Sequence, residues 1–295
     1  MQSSLQYVID GLSLGSTYAL LALGLAMVFS ILGLINFAHG ELVTIAGYTI
    51  YLLQQRGVPF ALCAVGAIIA SGVAALLMER VAFRPLRGAS FVTLIFTSFA
   101  MSIVIQSLLV SLISPRQRGV TFPAFFDESF TIGAYTISVL QILTAAVCGL
   151  ALFGLHLFLR RTNQGLGMLA ASQDFQVTRL MGISADRVIA GAFVVSGVLA
   201  AIAAIFITAR RGTVDPFMGF NPVLKAFIAT VIGGLGSLGG AVVGGFLLAG
   251  IEVGLDATLP PGGQPFRDAF ALLIVVGILY ARPDGILRAR TESIG

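Results

Sequence analysis

Charge is scarce in this chain. Only 10% of its 295 residues are Asp, Glu, Lys or Arg, against about 25% in soluble domains. No soluble fold of this length has an interior large enough for the 57% of residues that are hydrophobic, so lipid is the expected solvent. Cysteine is nearly absent too. Cys63 and Cys148 stand singly in apolar runs, which excludes metal or redox spacing and leaves them as packing residues. The opening MQSSLQYVID has no positive n-region, so no cleavable signal peptide is expected. No G-x-x-x-x-G-K-[ST] occurs, so nucleotide handling is not expected in this chain. The net charge of +4 is spread over loops rather than clustered, which argues against a nucleic-acid footprint. No Ser/His pair, carboxylate dyad or ligand set stands out. The chain is therefore read as a non-enzyme with no catalytic residue, no metal and no cofactor.

What the sequence does have is long apolar runs, with a mean hydropathy of +0.99. At about 20 residues per transmembrane helix there is room for roughly eight to ten. The expectation is an all-α polytopic bundle of about eight or nine spans, some broken or short, forming one transmembrane domain over 1–295. Spans are predicted at 8–32, 35–53, 59–78, 91–113, 136–159, 188–209 and 267–281, with two short ones within 223–254. The second opens on INFAHGEL, where Asn36, His39 and Glu41 gather near the membrane. Charges at membrane depth face a bundle interior or a water-filled cavity. The cluster therefore reads either as a broken helix beside a translocation path or as the cytoplasmic start of the span. His39 and Glu41 form H-x-E, but no P-C-x-x-C follows, which excludes a zinc deaminase site.

Residues 223–254 hold a formal G-x-G-x-x-G from Gly234 to Gly239. Its flanks are membrane-grade runs rather than a βαβ unit, so a dinucleotide site is rejected. Gly236, Gly240 and Gly244 recur every four residues, and Gly250 and Gly254 repeat the spacing. This predicts a small-residue stripe for close helix packing, with 233–240 as a break between two short helices. Lys225 and Glu252 are the lone charges there, expected to be paired or snorkelling. Between the fifth and sixth spans, 160–187 breaks the apolar pattern with four arginines and two aspartates. From Gly167 to Met181 its apolar positions follow helical spacing, with Gly182 as the stop. It reads either as an amphipathic helix for a partner to push on or as a solvated surface loop.

Arginines orient the chain. Loop 79–90, the 160–187 segment and the tail after Ala281 together hold ten of the seventeen basic residues. The positive-inside rule puts those segments in the cytoplasm and the N-terminus outside. An odd number of crossings, nine, satisfies that arrangement; if the short pair crosses once, the count is eight.

Three stretches carry a resemblance that covers nearly the whole chain: GLSLGSTYALLALGLAMVFSILGLINFAHGEL, AASQDFQVTRLMGIS, and MGFNPVLKAFIATVIGGLGSLGGAVVGG with a closing RPDGI. Together they resemble the membrane permease of bacterial branched-chain amino acid ABC importers, in particular the shorter of its two permease subunits. The resemblance implies an inner-membrane permease working by alternating access. It implies two ABC ATPase subunits, a second homologous permease and a periplasmic or extracellular substrate-binding protein as partners. It also implies that 160–187 is the cytoplasmic coupling loop, with Ala170, Asp174, Arg179 and Gly182 as its ATPase-coupling residues. The family often has charged residues where Leu169, Gln173 and Gln176 stand here. Similar permeases serve urea or short amides. A secondary transporter or channel would need ionisable residues deep in its spans, and only Glu41, Lys225 and Glu252 are candidates.

Overall fold

The computed structural model describes residues 4–132 and 135–287; Arg288 and Arg290 lie outside them. Eleven α-helices make up the described chain. They are α1 (Ser4–Leu32), α2 (His39–Gln54), α3 (Phe60–Met78), α4 (Phe91–Leu112), α5 (Val139–Arg161), α6 (Asn163–Gln173), α7 (Phe175–Leu180), α8 (Ala185–Arg211), α9 (Phe220–Gly233), α10 (Leu238–Thr258) and α11 (Arg267–Ala281). The fold is an all-α polytopic bundle. Seven of the described helical segments are long and apolar enough to cross a membrane, and α2 and α9 are shorter. Short antiparallel strands decorate the loops: β1 (Arg118–Gly119), β2 (Ser129–Ile132), β3 (Tyr135–Ser138) and β4 (Thr213–Val214), with β1 on β4 and β2 on β3.

Helix starts are written locally. Ser90, Ser138, Thr162 and Ser237 each offer a side-chain oxygen to an otherwise orphan backbone N–H of α4, α5, α6 and α10, and at Ser138 the Gln141 amide completes a capping box. At the end of α1, Gly33 takes φ +64, which only glycine adopts freely, and turns the chain back into the bundle.

The helix ends fall on two faces. On one, β1 pairs with β4, the Gln54 amide donates to the Thr121 carbonyl, Phe60 meets Phe122 edge to face and Asp10 meets Gln141. On the other, Arg84 and Arg87 pair with Asp186, and Ile286 and Leu287 donate to the Ile232 and Gly233 carbonyls. The second face collects Arg80, Arg84, Arg87, Arg160, Arg161, Arg179, Arg187 and Arg282 and is called the arginine-rich face. Following the ends gives nine passages, with the N-terminal end of α1 on the opposite face and the end of α11 on the arginine-rich one. Seven are long helices. The remaining two are made by α2 and α9, each completed by irregular chain, at 33–38 and 212–219.

α1–α2–α3 and α8–α9–α10 repeat one plan in opposite directions. Each is a long helix, an irregular re-entry, a short helix and a long helix. α1 packs on α10, α8 packs on α3, and α1 and α8 pack on each other. Contact is close because the residues are small. Gly197 of α8 lies against the Ser71 carbonyl of α3, while Gly245 of α10 lies against the Ala19 backbone of α1. Ser71 donates to the carbonyls of Gly197 at 2.8 Å and Leu42 at 3.2 Å, and Thr230 donates to the Ala22 carbonyl at 3.3 Å. α1 and α8 are the most enclosed spans and α4 and α11 the least. Outer side chains such as Phe96, Leu112 and Leu150 are exposed, as lipid-facing positions are.

Candidate functional site

The two short helices start in the middle of the bundle. His39 lies beside Gly24 of α1, eight residues before that helix ends, or about 12 Å in from the face at ~1.5 Å per residue. Its Nδ1 is 3.0 Å from Ser196 Oγ in the middle of α8. The start of α9 comes to the same depth: Gly40 and Gly219 touch backbone to backbone, and a Cβ on either would collide with the other's carbonyl. Of the two readings of INFAHGEL, the backbone has the break, because irregular chain runs from the arginine-rich face to mid-depth before α2 begins. Such backbone is tolerated only where protein satisfies it. The Phe37 N–H donates to Ser98 Oγ at 3.3 Å, and the Phe37 ring stacks on Phe99 with centroids 4.4 Å apart.

Asn36, His39 and Glu41 are each about 1% exposed, yet they do not converge. Asn36 reaches Met78 of α3 and His39 reaches α8. Glu41 reaches α4, where Ser102 and the Gln106 amide both donate to one carboxylate oxygen at 2.7 Å. The cluster pins α2 to three neighbours. Ser102 and Gln106 carry no sequence signal of this role, since the match depends on how α4 is rotated.

The polar stretch 160–187 lies on the arginine-rich face and is helical, but not as one helix over 167–181. It divides into α6 and α7 at Asp174, whose backbone is extended and whose carboxylate accepts from the Val177 N–H at 2.9 Å. An Asp bonded to backbone ahead of it starts a new helix instead of continuing the old one. Ala170 is half-buried on α6, Asp174 and Arg179 are exposed, and Gly182 takes φ +81 to end the segment. α6 is held from below: Gly165 lies against the Phe158 carbonyl and Gly167 against Ile183 and Val188. The tip is apolar and bare, with Leu180 87% and Met181 77% exposed.

The glycine stripe is only partly as expected. Gly240 and Gly244 lie on α10 against the Gly233 and Ala229 carbonyls of α9, so they do pack helices. Gly236 does not. It sits in the turn between α9 and α10 at φ +87, because a reversal that tight needs left-handed backbone. Gly250 and Gly254 face open space. The 233–240 break is present, but the helix after it is not short: α10 has 21 residues.

Two ion networks were not legible as pairs. Lys225 of α9 lies 2.8 Å from Glu252 of α10 and 3.4 Å from Asp268 of α11, and Tyr18 of α1 donates to Glu252 at 2.9 Å. On the arginine-rich face Arg87 pairs with both Asp186 and the buried Glu79. The composition names these charges, but partners 8 to 234 positions apart are invisible before folding.

Comparison with known proteins follows the whole chain. Residues 7–279 match the family described as branched-chain amino acid transport system / permease component. The high-affinity branched-chain amino acid transport system permease protein BraD of Pseudomonas aeruginosa is 38% identical, over 98% of both chains. The permease protein LivH of Escherichia coli K12 is 34% identical over 98% of this chain and 97% of its own. A probable branched-chain amino acid transport permease of Methanocaldococcus jannaschii is 26% identical over 90% and 87%. No solved structure matches.

Proposed function

The chain belongs to the family of branched-chain amino acid transport permease components, and from that premise we propose that it is the membrane-spanning permease subunit of an ABC importer for branched-chain amino acids. The observation that carries this reading is the alignment with BraD at 38% identity over 98% of both chains. The chain is a multi-pass membrane protein and a transport permease, not an enzyme. In this reading the arginine-rich face is cytoplasmic by the positive-inside rule, the membrane is the inner one, and the nine passages run from an outside start to a cytoplasmic end.

The partners proposed are two ABC ATPase subunits, a second homologous permease and a substrate-binding protein outside. The coupling loop is 160–187, with Ala170, Asp174, Arg179 and Gly182 in it. Leu180 and Met181 give it an exposed apolar tip beside a cationic Arg179, a pattern that fits a groove on an ATPase. An ATPase biases the permease only through contacts that differ between two states. Movement of α7 passes to α8 through Gly182 and to α3 through the Arg84–Asp186 and Arg87–Asp186 pairs. Asn36, His39 and Glu41 then hold the inner end of α2, so they belong to the moving wall of the path.

The test is uptake of labelled L-leucine, L-isoleucine and L-valine into proteoliposomes that hold the assembled complex, with binding protein outside and ATP inside. ATP-dependent uptake is expected. Uptake by this chain alone under an ion gradient, or ATP-dependent uptake of urea with none of the three amino acids, overturns the reading.

A further inference from the structure

On the face opposite the arginine-rich one, the ends of α1, α8, α10 and α11 enclose a cavity of about 430 Å³, within the ~300–1,000 Å³ typical of small-molecule sites. Its walls carry charge of both signs: Asp10, Glu252 and Asp256 against Arg210 and Arg267. Most of this charge is matched within the protein. Glu252 holds Lys225 and the Tyr18 hydroxyl, and Asp256 holds Arg267 at 2.9 Å. Two groups stay unmatched. Arg210, at the end of α8, makes no ion pair or hydrogen bond among the described residues. Among the described residues Asp10 accepts only from the neutral amides of Gln6 and Gln141.

Arg210 and Asp10 line this cavity together and also line a smaller one of about 190 Å³ beside it, so the two uncancelled charges belong to one concave space. Leu14 and Val253 supply apolar wall between them. The Lys225–Glu252–Tyr18 seam separates this space from an apolar pocket of about 340 Å³ further along α9 and α11, lined by Leu224, Ile228, Leu248 and Val275. From Asp10 to Tyr18 the cavity descends eight residues of α1, about 12 Å at ~1.5 Å per residue.

An unmatched cation and an unmatched anion in one cavity, whose lining is mostly polar apart from Leu14 and Val253, complement a zwitterion. A simple anion would leave Asp10 unmatched, and a simple cation would leave Arg210 unmatched. A guanidinium holds a carboxylate through two parallel N–H···O bonds, and a carboxylate accepts from an ammonium. We propose that this cavity is the receiving site for an amino-acid zwitterion entering from outside, with Arg210 taking the α-carboxylate and Asp10 the α-ammonium. The Lys225–Glu252 seam is the floor on which the substrate waits, and the apolar pocket beyond it accepts the side chain when the seam parts. This assignment rests on the amino-acid importer reading above.

The experiment measures ATP-dependent uptake of labelled L-leucine by the reconstituted complex as the concentration of leucine-loaded binding protein is raised. Arg210→Gln and Asp10→Asn should each lower the maximal rate roughly tenfold, the loss of one charge-assisted contact, with the half-saturating concentration of binding protein little changed. Arg210→Lys should recover at least part of the rate, because the positive charge remains. Rates within twofold of wild type in both Arg210→Gln and Asp10→Asn overturn the proposal. So does a loss that excess binding protein abolishes, which would make Arg210 a docking contact. An Arg210→Lys variant that assembles normally but is as slow as Arg210→Gln also overturns it. If the unmutated complex carries no amino acid at all, the importer reading fails and this assignment falls with it; if it carries leucine and the variants are unaffected, only the assignment fails.

Discussion

α1–α3 and α8–α10 share a backbone plan, but they bury charge differently. In the first, Glu41 sits in a closed interior with two neutral donors on one oxygen. In the second, the equivalent short helix carries Lys225, which pairs with Glu252 and Asp268 at the edge of open cavities. The inverted geometry fixes where the half-helices meet. It does not fix how their charges are neutralised; that follows from what packs outside them. α4 covers α2 with Ser and Gln, whereas α9 lies beside the outer cavity and under α11. Both carboxylates are buried, but Glu252 has a cation beside it at the edge of the cavities and Glu41 has two neutral donors, two ways of offsetting the cost of burying charge.

The sharpest way to break this comparison is at the contact where the two short helices meet. Gly219→Leu or Gly40→Leu forces a side chain into the partner's backbone and should cost about 3 kcal/mol or more, read as a collapse of the thermal midpoint in detergent. Gly11→Leu, with nothing within 4 Å, is the control and should change little. Equal effects at all three positions would mean that the half-helices do not depend on this contact.

Next in size is the electrostatic contrast. Lys225→Met leaves Glu252 buried without its cation and should cost about 3 kcal/mol, and adding Glu252→Leu should recover most of it. Glu41→Gln keeps an oxygen for Ser102 and Gln106 and should cost less than about 1 kcal/mol. A Glu41→Gln penalty as large as that of Lys225→Met would erase the distinction between the halves.

The segment joining the halves should respond without unfolding. Leu180→Asp alters a side chain that is 87% exposed. It should leave the thermal midpoint in place and lower retention of the ATPase in a pull-down roughly fivefold; undiminished retention would remove α7 from the docking surface. The smallest effects lie within α10. Gly244→Ala meets the Ala229 carbonyl and should destabilise by about 1 kcal/mol or more, whereas Gly250→Ala enters open space and should stabilise by up to about 1 kcal/mol. Opposite signs at two glycines of one helix would confirm that the packing stripe ends before Gly250.

Much of this was legible in advance because it rests on local chemistry. The span of α11 is predicted as 267–281 and found as Arg267–Ala281, since apolar run length sets a membrane helix. Gly182 stops the central segment because glycine alone takes left-handed backbone without strain. Periodicity failed at Asp174 and Gly236. Apolar spacing continues through Asp174, but its carboxylate prefers the backbone ahead of it; four-residue spacing includes Gly236, but the turn there needs its φ. Neither preference appears in a hydrophobic pattern.

The sequence by itself determined that this protein dissolves in lipid, roughly where its helices run and which loops gather arginine, because each of these follows from the transfer of side chains between water and hydrocarbon along a continuous stretch of chain. Only the tertiary structure decided that α2 and α9 begin at mid-depth against each other, that Lys225 neutralises Glu252, and that Arg210 and Asp10 share one cavity. Those are meetings of residues far apart in the chain, set by how helices rotate and pack, and single-helix hydropathy is blind to rotation.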